Sequence, residues 1–324
     1  MRCWIELPGN YDLSRPRTAS AMNEFELIRR YFERPHARSD VALGIGDDAA
    51  LLQLPPGHEF AITTDTMVEA VHFPAGAPAR AVGFRALATN LSDLAAMGAT
   101  PAWATLALTL PRADAAWLKD FAAGFFELAE TFDIALIGGD VTRGPLTITI
   151  GAYGIVPEGK AIRRSGAQAG DRVFVTGALG EAATGLKIYA PESRGRDRYL
   201  YPQPRVVEGT ALREYASAAI DISDGLLADI GHLVEASGVG ADIQLERIPA
   251  AAGADRQMAL TGGDDYELCF TIQPARVEAL HAAWHDDWAP LHDIGIITKR
   301  RDLHCIAPDG TLWHAETAGY RHFQ

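Results

Sequence analysis

The sequence reads as an α/β protein, α+β in detail, built as two domains, and three observations predict this. Strand-like and helix-like stretches alternate over most of the chain. A glycine- and charge-rich segment, PEGKAIRRSGAQAGD, interrupts that alternation from residue 157 onward. With 324 residues the chain is long enough for two substantial cores. The expected division is a poorly ordered extension over 1–21, an N-terminal domain over 22–157 and a C-terminal domain over 158–324.

The opening MRCWIELPGNYDLSRPRTAS is polar throughout and lacks the apolar core of a signal peptide, so Met22 is a plausible start of the compact protein. NEFELIRRYF places Phe25, Ile28 and Phe32 on one helical face behind Asn23 as cap. Two short strands, VALGI and FAITT, then run into carboxylates, Asp47 and Asp48 after the first and Asp65 after the second. Val82, Leu87, Leu91 and Leu94 recur at helical spacing until Gly98 and Pro101 stop the pattern, which puts Asp93 within or at the start of a helical turn. PAWATLALTLP is a buried strand and DAAWLKDFAAGFFELAETF an amphipathic helix. IALIGGD reads as a strand closed by a glycine turn, and LTITIGAYGIV as a further strand.

The second half opens with RVFVTGALGEAATGLKIY, a strand, a glycine-rich turn and a helix. PESRGRDRYLYPQPR reads as a polar loop, SAAIDISDGLLADIGHLVEASG as strand, carboxylate and helix, and LTGGDDYELCFTI repeats that order before a terminal region ending GYRHF. No fixed-period repeat is present. A looser echo joins the halves: NLSDLAAMG and DISDGLLADIG both place Ser-Asp at an expected helix start, and IGGD and TGGDD both place acid after paired glycines.

Composition excludes several classes. Apolar residues make up 48% and charged residues 22%, an ordinary globular balance. Acidic residues outnumber basic ones 42 to 29, a formal charge of −13, which disfavours nucleic acid and anionic membrane as partners. If the ligand is a polyphosphate, metal ions have to carry the missing positive charge. No apolar run reaches the roughly 18 residues of a membrane span. Cys3, Cys269 and Cys305 are widely spaced and odd in number, so neither a disulfide framework nor a zinc site is indicated and a reducing cytoplasm is the simpler setting.

Familiar nucleotide motifs fail. GIGDDA fits a dinucleotide fingerprint only nominally, because two carboxylates stand where a pyrophosphate would meet backbone amides. GIVPEGKA ends in Ala161 where a P-loop needs Ser or Thr, and HRD and DFG are absent. What remains is a set of carboxylates near strand ends: Asp47, Asp48, Asp65, Asp93, Asp140, Asp221, Asp224, Asp264 and Asp265. Each has a structural alternative. Asp93 and Asp224 suit helix caps, and Asp140 suits a turn. Gly138, Gly139, Gly262 and Gly263 suit either turns or close approach to a ligand. Arg163 and Arg164 suit a phosphate contact or a solvated loop, and His72 a packed position or a ligand contact. Collectively, so many strand-to-acid transitions exceed what turn chemistry needs. Adjacent carboxylates raise each other's pKa, and magnesium takes hard oxygen ligands alongside waters and substrate phosphates, so the set suits a multi-ion polyphosphate site.

At GIGDDAALL, TTDTMVEAVHF, NLSDLAAMGATP, LIGGDVTRGP, IDISDGLLADIGH and GGDDYELCF the sequence closely resembles the thiamine-monophosphate kinases, within the ATP-dependent superfamily typified by aminoimidazole ribonucleotide synthetase. The resemblance runs from about Asn23 to the end. It implies a two-domain fold, an N-terminal sheet that pairs in a homodimer, and an active site in the cleft that takes ATP and thiamine monophosphate without a P-loop. Carried over, magnesium ligands fall on Asp48, Thr63, Thr64, Asp65, Asp93, Asp140, Asp221 and Asp224, several ions being held. ATP contacts fall on Gly139, Asp140, Arg164 and Ser223, and thiamine phosphate contacts on His72, Asp264 and Tyr320. Two positions depart from the family pattern, Asp264 where Glu is frequent and Arg321 where Asp is frequent. The implied activity is direct, metal-assisted transfer of the ATP γ-phosphoryl group to the phosphate of thiamine monophosphate, with no covalent nucleophile. Cys3 lacks the glycine-rich setting of a selenophosphate synthetase cysteine, and YRHFQ is not the cysteine tail of the hydrogenase-assembly relatives.

Overall fold

The computed structural model describes residues 23–36, 38–188, 194–314 and 319. The N-terminal extension with Met22, and Tyr320 and Arg321 near the other end, lie outside the described residues. In the N-terminal half, α1 (Glu24–Tyr31) begins with a reciprocal cap between Asn23 and Glu26. Its inward face carries Leu27 and Tyr31, with Phe32 following, while Phe25 is 71% exposed. Of the expected face Phe32 is buried and Ile28 half-buried, but Phe25 points to solvent and Leu27 and Tyr31 complete the inward stripe, which packing against neighbouring elements, not periodicity alone, selects.

Short strands β1 (Val41–Leu43) and β2 (Leu51–Leu52) pair with each other. The main N-terminal sheet contains β3 (His58–Val68), β4 (Thr100–Leu110), β5 (Ala135–Arg143) and β6 (Thr147–Pro157), in the order β3-β6-β4-β5. Only β4 and β5 run parallel, and the chain between them is α3 (Ala115–Thr131), capped by Asp114 through the Ala116 and Trp117 amides. Alternation sends Ala61, Met67, Leu106, Leu108, Ile148 and Ile150 into the core under α3 and α2 (Ala79–Ala96). α2 is buried on nearly every side. It packs so closely on α3 that a Cβ on Gly83 would lie 2.1 Å from the Phe121 carbonyl oxygen, and one on Gly124 1.8 Å from that of Arg80.

Two expectations about the acids change. Asp65 and Asp140 sit within β3 and β5, not after them, and Gly138-Gly139 is not a turn. The β4–β5 register slips opposite Thr105, and Gly139 adopts φ +151° with space for a Cβ only 1.9 Å from the Leu106 oxygen. A one-residue bulge at Ile137, followed by the glycine pair, lets the strand continue through a position read as its end. Asp93 lies in the last turn of α2, so of the two Ser-Asp pairs only Ser223-Asp224 precedes a helix.

The C-terminal half holds β7 (Arg172–Thr176), α4 (Glu181–Ile188), α5 (Arg194–Leu200), α6 (Val206–Leu212), β8 (Ala216–Asp221), α7 (Leu226–Ser237) and β9 (Gly240–Gln244). It continues with α8 (Arg256–Thr261), β10 (Leu268–Ile272), α9 (Val277–Ala283), β11 (Leu291–Thr298), β12 (Leu303–Ile306) and β13 (Leu312–Trp313). Among the described residues these strands form one sheet, β13-β12-β9-β11-β7-β10-β8, parallel only at β9–β12. One face packs on α7. The other turns Phe174 and Phe270, stacked at 5.6 Å, into the same core that α2 occupies. α5 replaces part of the expected polar loop because Tyr199 and Leu200 are buried against Ala81 and Ala182; tertiary packing supports a helix whose sequence would not hold one alone.

Candidate active site

Between α2, β3 and the C-terminal half lies a cleft of about 730 Å³. One face of α2 lines it with residues four apart, Arg85, Thr89 and Asp93, one above the other. Opposite Asp93, helix-facing positions of β3 present Thr63, whose hydroxyl donates to Asp93 Oδ2 at 2.6 Å, and Asp65. From the C-terminal half, Asp221 ends β8 and accepts from Ser92 Oγ at 2.8 Å. Three carboxylates from a strand, a helix and a second sheet thus converge. Burial lifts Asp65 above the usual carboxylate range, although a Thr89 hydrogen bond opposes the shift. Burial and the Asp65 charge push Asp93 up to about 6 against the pull of Thr63. Burial and then Asp93 and Asp229 raise Asp221 further. Charges that disfavour one another in this way are offset by a cation.

The loop from Ile222 to Gly225 carries Ser223 and Asp224 into the same cleft. Asp229 in α7 shapes it by accepting from the Ser223, Asp224 and Gly225 amides, each at 3.1 Å. Backbone bonds Asp264 N to Ser223 O and Tyr266 N to Ile222 O attach the next loop. That loop places Asp264 at φ +69° and Tyr266 at φ +51°, a backbone region that non-glycine residues rarely adopt. Asp264 Oδ1 accepts from Arg85 Nη2 and from Tyr266 Oη. Glu267, 1% exposed, receives Arg198, Arg205 and Thr176. At the cleft's outer part, His72 Nδ1 accepts from the Val68 amide at 3.0 Å, which leaves the proton of the neutral ring on Nε2. Its carbonyl accepts from Tyr199 Oη.

Of the residues proposed from the sequence, Asp65, Thr63, Asp93, Asp221, Asp224, Ser223, His72 and Asp264 meet in or beside this cleft. Gly319 lines it as well, next to Tyr320, which falls outside the described residues. Arg164 stands in the exposed loop before β7, its carbonyl bound to Ser237 Oγ, and its charge lowers the Asp93 pKa. The others do not join. Thr64 faces away from α2, beside Thr63 but on the opposite side of β3, where its hydroxyl donates to the Ile150 carbonyl. Asp48, Gly139 and Asp140 border a separate cavity of about 1040 Å³ beneath α1. Ladder alternation pairs Asp140 with Ala107 on the side away from α2. Three strand spacings separate it from Asp65, roughly 14 Å. Within one chain the expectation of a single shared cleft is therefore met by only part of the set.

Arg85, Tyr199, Asp229, Tyr266 and Glu267 escaped sequence reasoning. A signal existed for Arg85, a lone charge within the otherwise small and apolar ARAVGFRALA. Among the described residues no group of three His, Cys, Asp or Glu side chains is close enough to enclose a metal. The all-oxygen donors fit magnesium bound through one or two carboxylates with the remaining positions filled by water and phosphate.

The family models for the AIR synthase related protein N-terminal and C-terminal domains match residues 46–156 and 168–307. The chain is 46% identical over 321 residues to the thiamine-monophosphate kinase of Escherichia coli K12, with 94% of this chain and 99% of that protein covered. A crystal structure of thiamine-monophosphate kinase from Stenotrophomonas maltophilia K279a aligns at TM-score 0.80 and 45% identity, over 86% of this chain and 93% of that one. The structure described as AaThiL complexed with AMPPCP and TMP aligns at TM-score 0.74 and 31% identity, over 86% and 92%.

Proposed function

The chain belongs to the thiamine-monophosphate kinase family of AIR synthase related proteins, and we propose that the cleft beneath α2 is where it uses ATP to phosphorylate thiamine monophosphate, giving thiamine diphosphate and ADP. The observation that carries the assignment is the convergence of Asp65, Asp93 and Asp221 from three elements at one end of a cleft whose other end holds Asp264.

The acceptor phosphate oxygen is already anionic at neutral pH, so it attacks the γ-phosphorus without a general base while the bond to the ADP oxygen breaks in line. No aspartate becomes phosphorylated. Asp65, Asp93, Asp221 and Asp224, with Thr63, are the residues that would hold divalent ions at the phosphate end. Magnesium, when bound, supplies the positive charge that lets two polyanions approach. Ser223 and Arg164 contact the nucleotide; His72 through Nε2–H and Asp264 through its second oxygen orient thiamine monophosphate, with Tyr320 assigned by family alone.

Asp48, Thr64, Gly139 and Asp140 enter this reading through a homodimer. Among the described residues β3 and β5 are the edges of their sheet, and the face away from α2 carries Phe60 and Ile62, the latter 65% exposed, beside Trp103, Tyr153 and Ile155. Long apolar edges of this kind call for a partner. Two sheets meeting about a two-fold axis would bring β5 of one protomer beside β3 of the other, and with it Asp140 beside Asp65. A domain boundary at 157/158 agrees with β6 ending at Pro157 and β7 starting only at Arg172. Unpaired Cys269 and Cys305 suit a reducing cytoplasm.

ATP consumption with thiamine monophosphate, and none with thiamine, is the expected result; activity with neither overturns the assignment. For the shared site, D65N and D140N chains are purified inactive and then reassorted. Mixed dimers regain one intact site, about a quarter of wild-type activity in a statistical mixture. No recovery, with mixed dimers verified, places both aspartates in the same protomer's site.

A further inference from the structure

We propose that Arg85 is a positioning residue for thiamine monophosphate, holding Asp264 at a fixed place along α2 relative to the aspartate end of the cleft. The inference rests on the reading of Asp264 as a substrate contact. Arg85 is 3% exposed and joins three elements. Its Nη1 donates to the Tyr199 carbonyl of α5 at 2.6 Å, its Nη2 to Asp264, and its guanidinium lies 4.2 Å from the centre of the Tyr199 ring and 5.5 Å from that of Tyr266. Burial alone would weaken its hold on a proton, but the Asp264 charge and the two tyrosines more than restore it, so the group remains a cation.

Both Nη atoms are engaged by protein, and Nε is sealed from solvent without a partner. Arg85 therefore acts through Asp264 and not by touching ligand. Asp264 needs such a hold because it and Tyr266 both occupy the left-handed backbone region, which surrounding contacts must enforce. Arg85 and Asp93 are eight residues apart on one helix face, about 12 Å along the axis. α2 thus separates the two ends of the cleft by a rigid span, and the ion pair transfers that spacing to the C-terminal loop. In this chain the acid is aspartate, and a planar, forked donor sets the reach of the shorter side chain. Lysine cannot make both contacts at once.

The test compares R85K, R85M and D264N with wild type by steady-state kinetics, varying each substrate at saturation of the other, with folding followed by thermal melting. Expected is a rise in KM for thiamine monophosphate of ~10-fold or more in R85K, with KM for ATP within ~2-fold and the melt cooperative. The R85K/D264N double variant should be no worse than D264N, since both lose one arrangement. An unchanged KM for thiamine monophosphate in R85K overturns the positioning role, as does an equal deterioration for both substrates. If R85M does not fold, R85K decides. If D264N leaves that KM unchanged while the enzyme remains a kinase, the Asp264 contact itself is wrong, an outcome separate from failure of R85K alone.

Discussion

Replacing Asp93 with Asn should make the metal-free protein more stable while removing its activity. Asp93 titrates at about 6 against an ordinary 3.8, chiefly through burial. Each unit corresponds to about 1.4 kcal/mol, so holding this group ionised destabilises the fold by about 3 kcal/mol. The sign follows from proton uptake. A carboxyl with a higher pKa folded than unfolded penalises the native state wherever both states are ionised, above about pH 6, and the penalty fades as pH falls toward 4 because the folded form takes its proton first. Asparagine keeps an oxygen to accept from Thr63 and carries no charge. Urea unfolding in excess EDTA at pH 8 should therefore show D93N more stable by about 2–3 kcal/mol, with the difference reduced to about 1 kcal/mol at pH 4.5. Magnesium should raise wild-type stability and leave D93N little changed. A D93N protein that is less stable in EDTA at pH 8, or a difference independent of pH, would refute the view that these acids are a strained, cation-seeking cluster.

Other substitutions probe the surrounding frame. D65N should lower turnover by orders of magnitude at saturating magnesium with an unchanged circular dichroism spectrum; retained turnover removes Asp65 from the machinery. E267Q removes the buried charge that Arg198 and Arg205 share, leaving Arg205 only its 3.8 Å contact with Glu208 and Arg198 the Asp265 carbonyl, and should destabilise by about 3 kcal/mol in urea unfolding. G139A forces a Cβ into the Leu106 carbonyl and should cost at least ~2 kcal/mol, read the same way. For the proposed homodimer, I62E should shift sedimentation from dimer to monomer; an unchanged sedimentation coefficient rules out this face as its contact.

Much of the architecture was visible beforehand because long periodic stretches such as DAAWLKDFAAGFFELAETF record which side is buried. The errors came where local chemistry imitated a boundary. Gly138-Gly139 looked like a turn, yet a one-residue bulge at Ile137 and the extended positive φ of Gly139 let β5 run on through Asp140. Ser92-Asp93 looked like a helix start, but nothing in NLSDLAAMG distinguishes the first turn of a helix from the last. The acids themselves were identifiable because they are chemically out of place among apolar strands. Their partition between two cavities was not, since it depends on which face of a sheet each residue takes and one bulge reverses that count. Arg85 and Glu267 belong to contacts between residues 179 and 62 or more positions apart, a separation that no sequence window spans.

The mutual approach of Gly83 and Gly124 reaches further than the helix pair it joins. Neither residue lines the cleft, and a survey of helix propensity would mark both as sites for improvement by alanine, at roughly 1 kcal/mol each. A methyl group at either position would instead wedge α2 outward by a fraction of a turn's rise. The shift would be shared by every side chain borne on that rod, so the grip on thiamine monophosphate and on the phosphates would slacken together. Replacing either glycine is therefore expected to cost stability through the backbone overlap, despite the gain in helix propensity, and to blunt the catalyst as well.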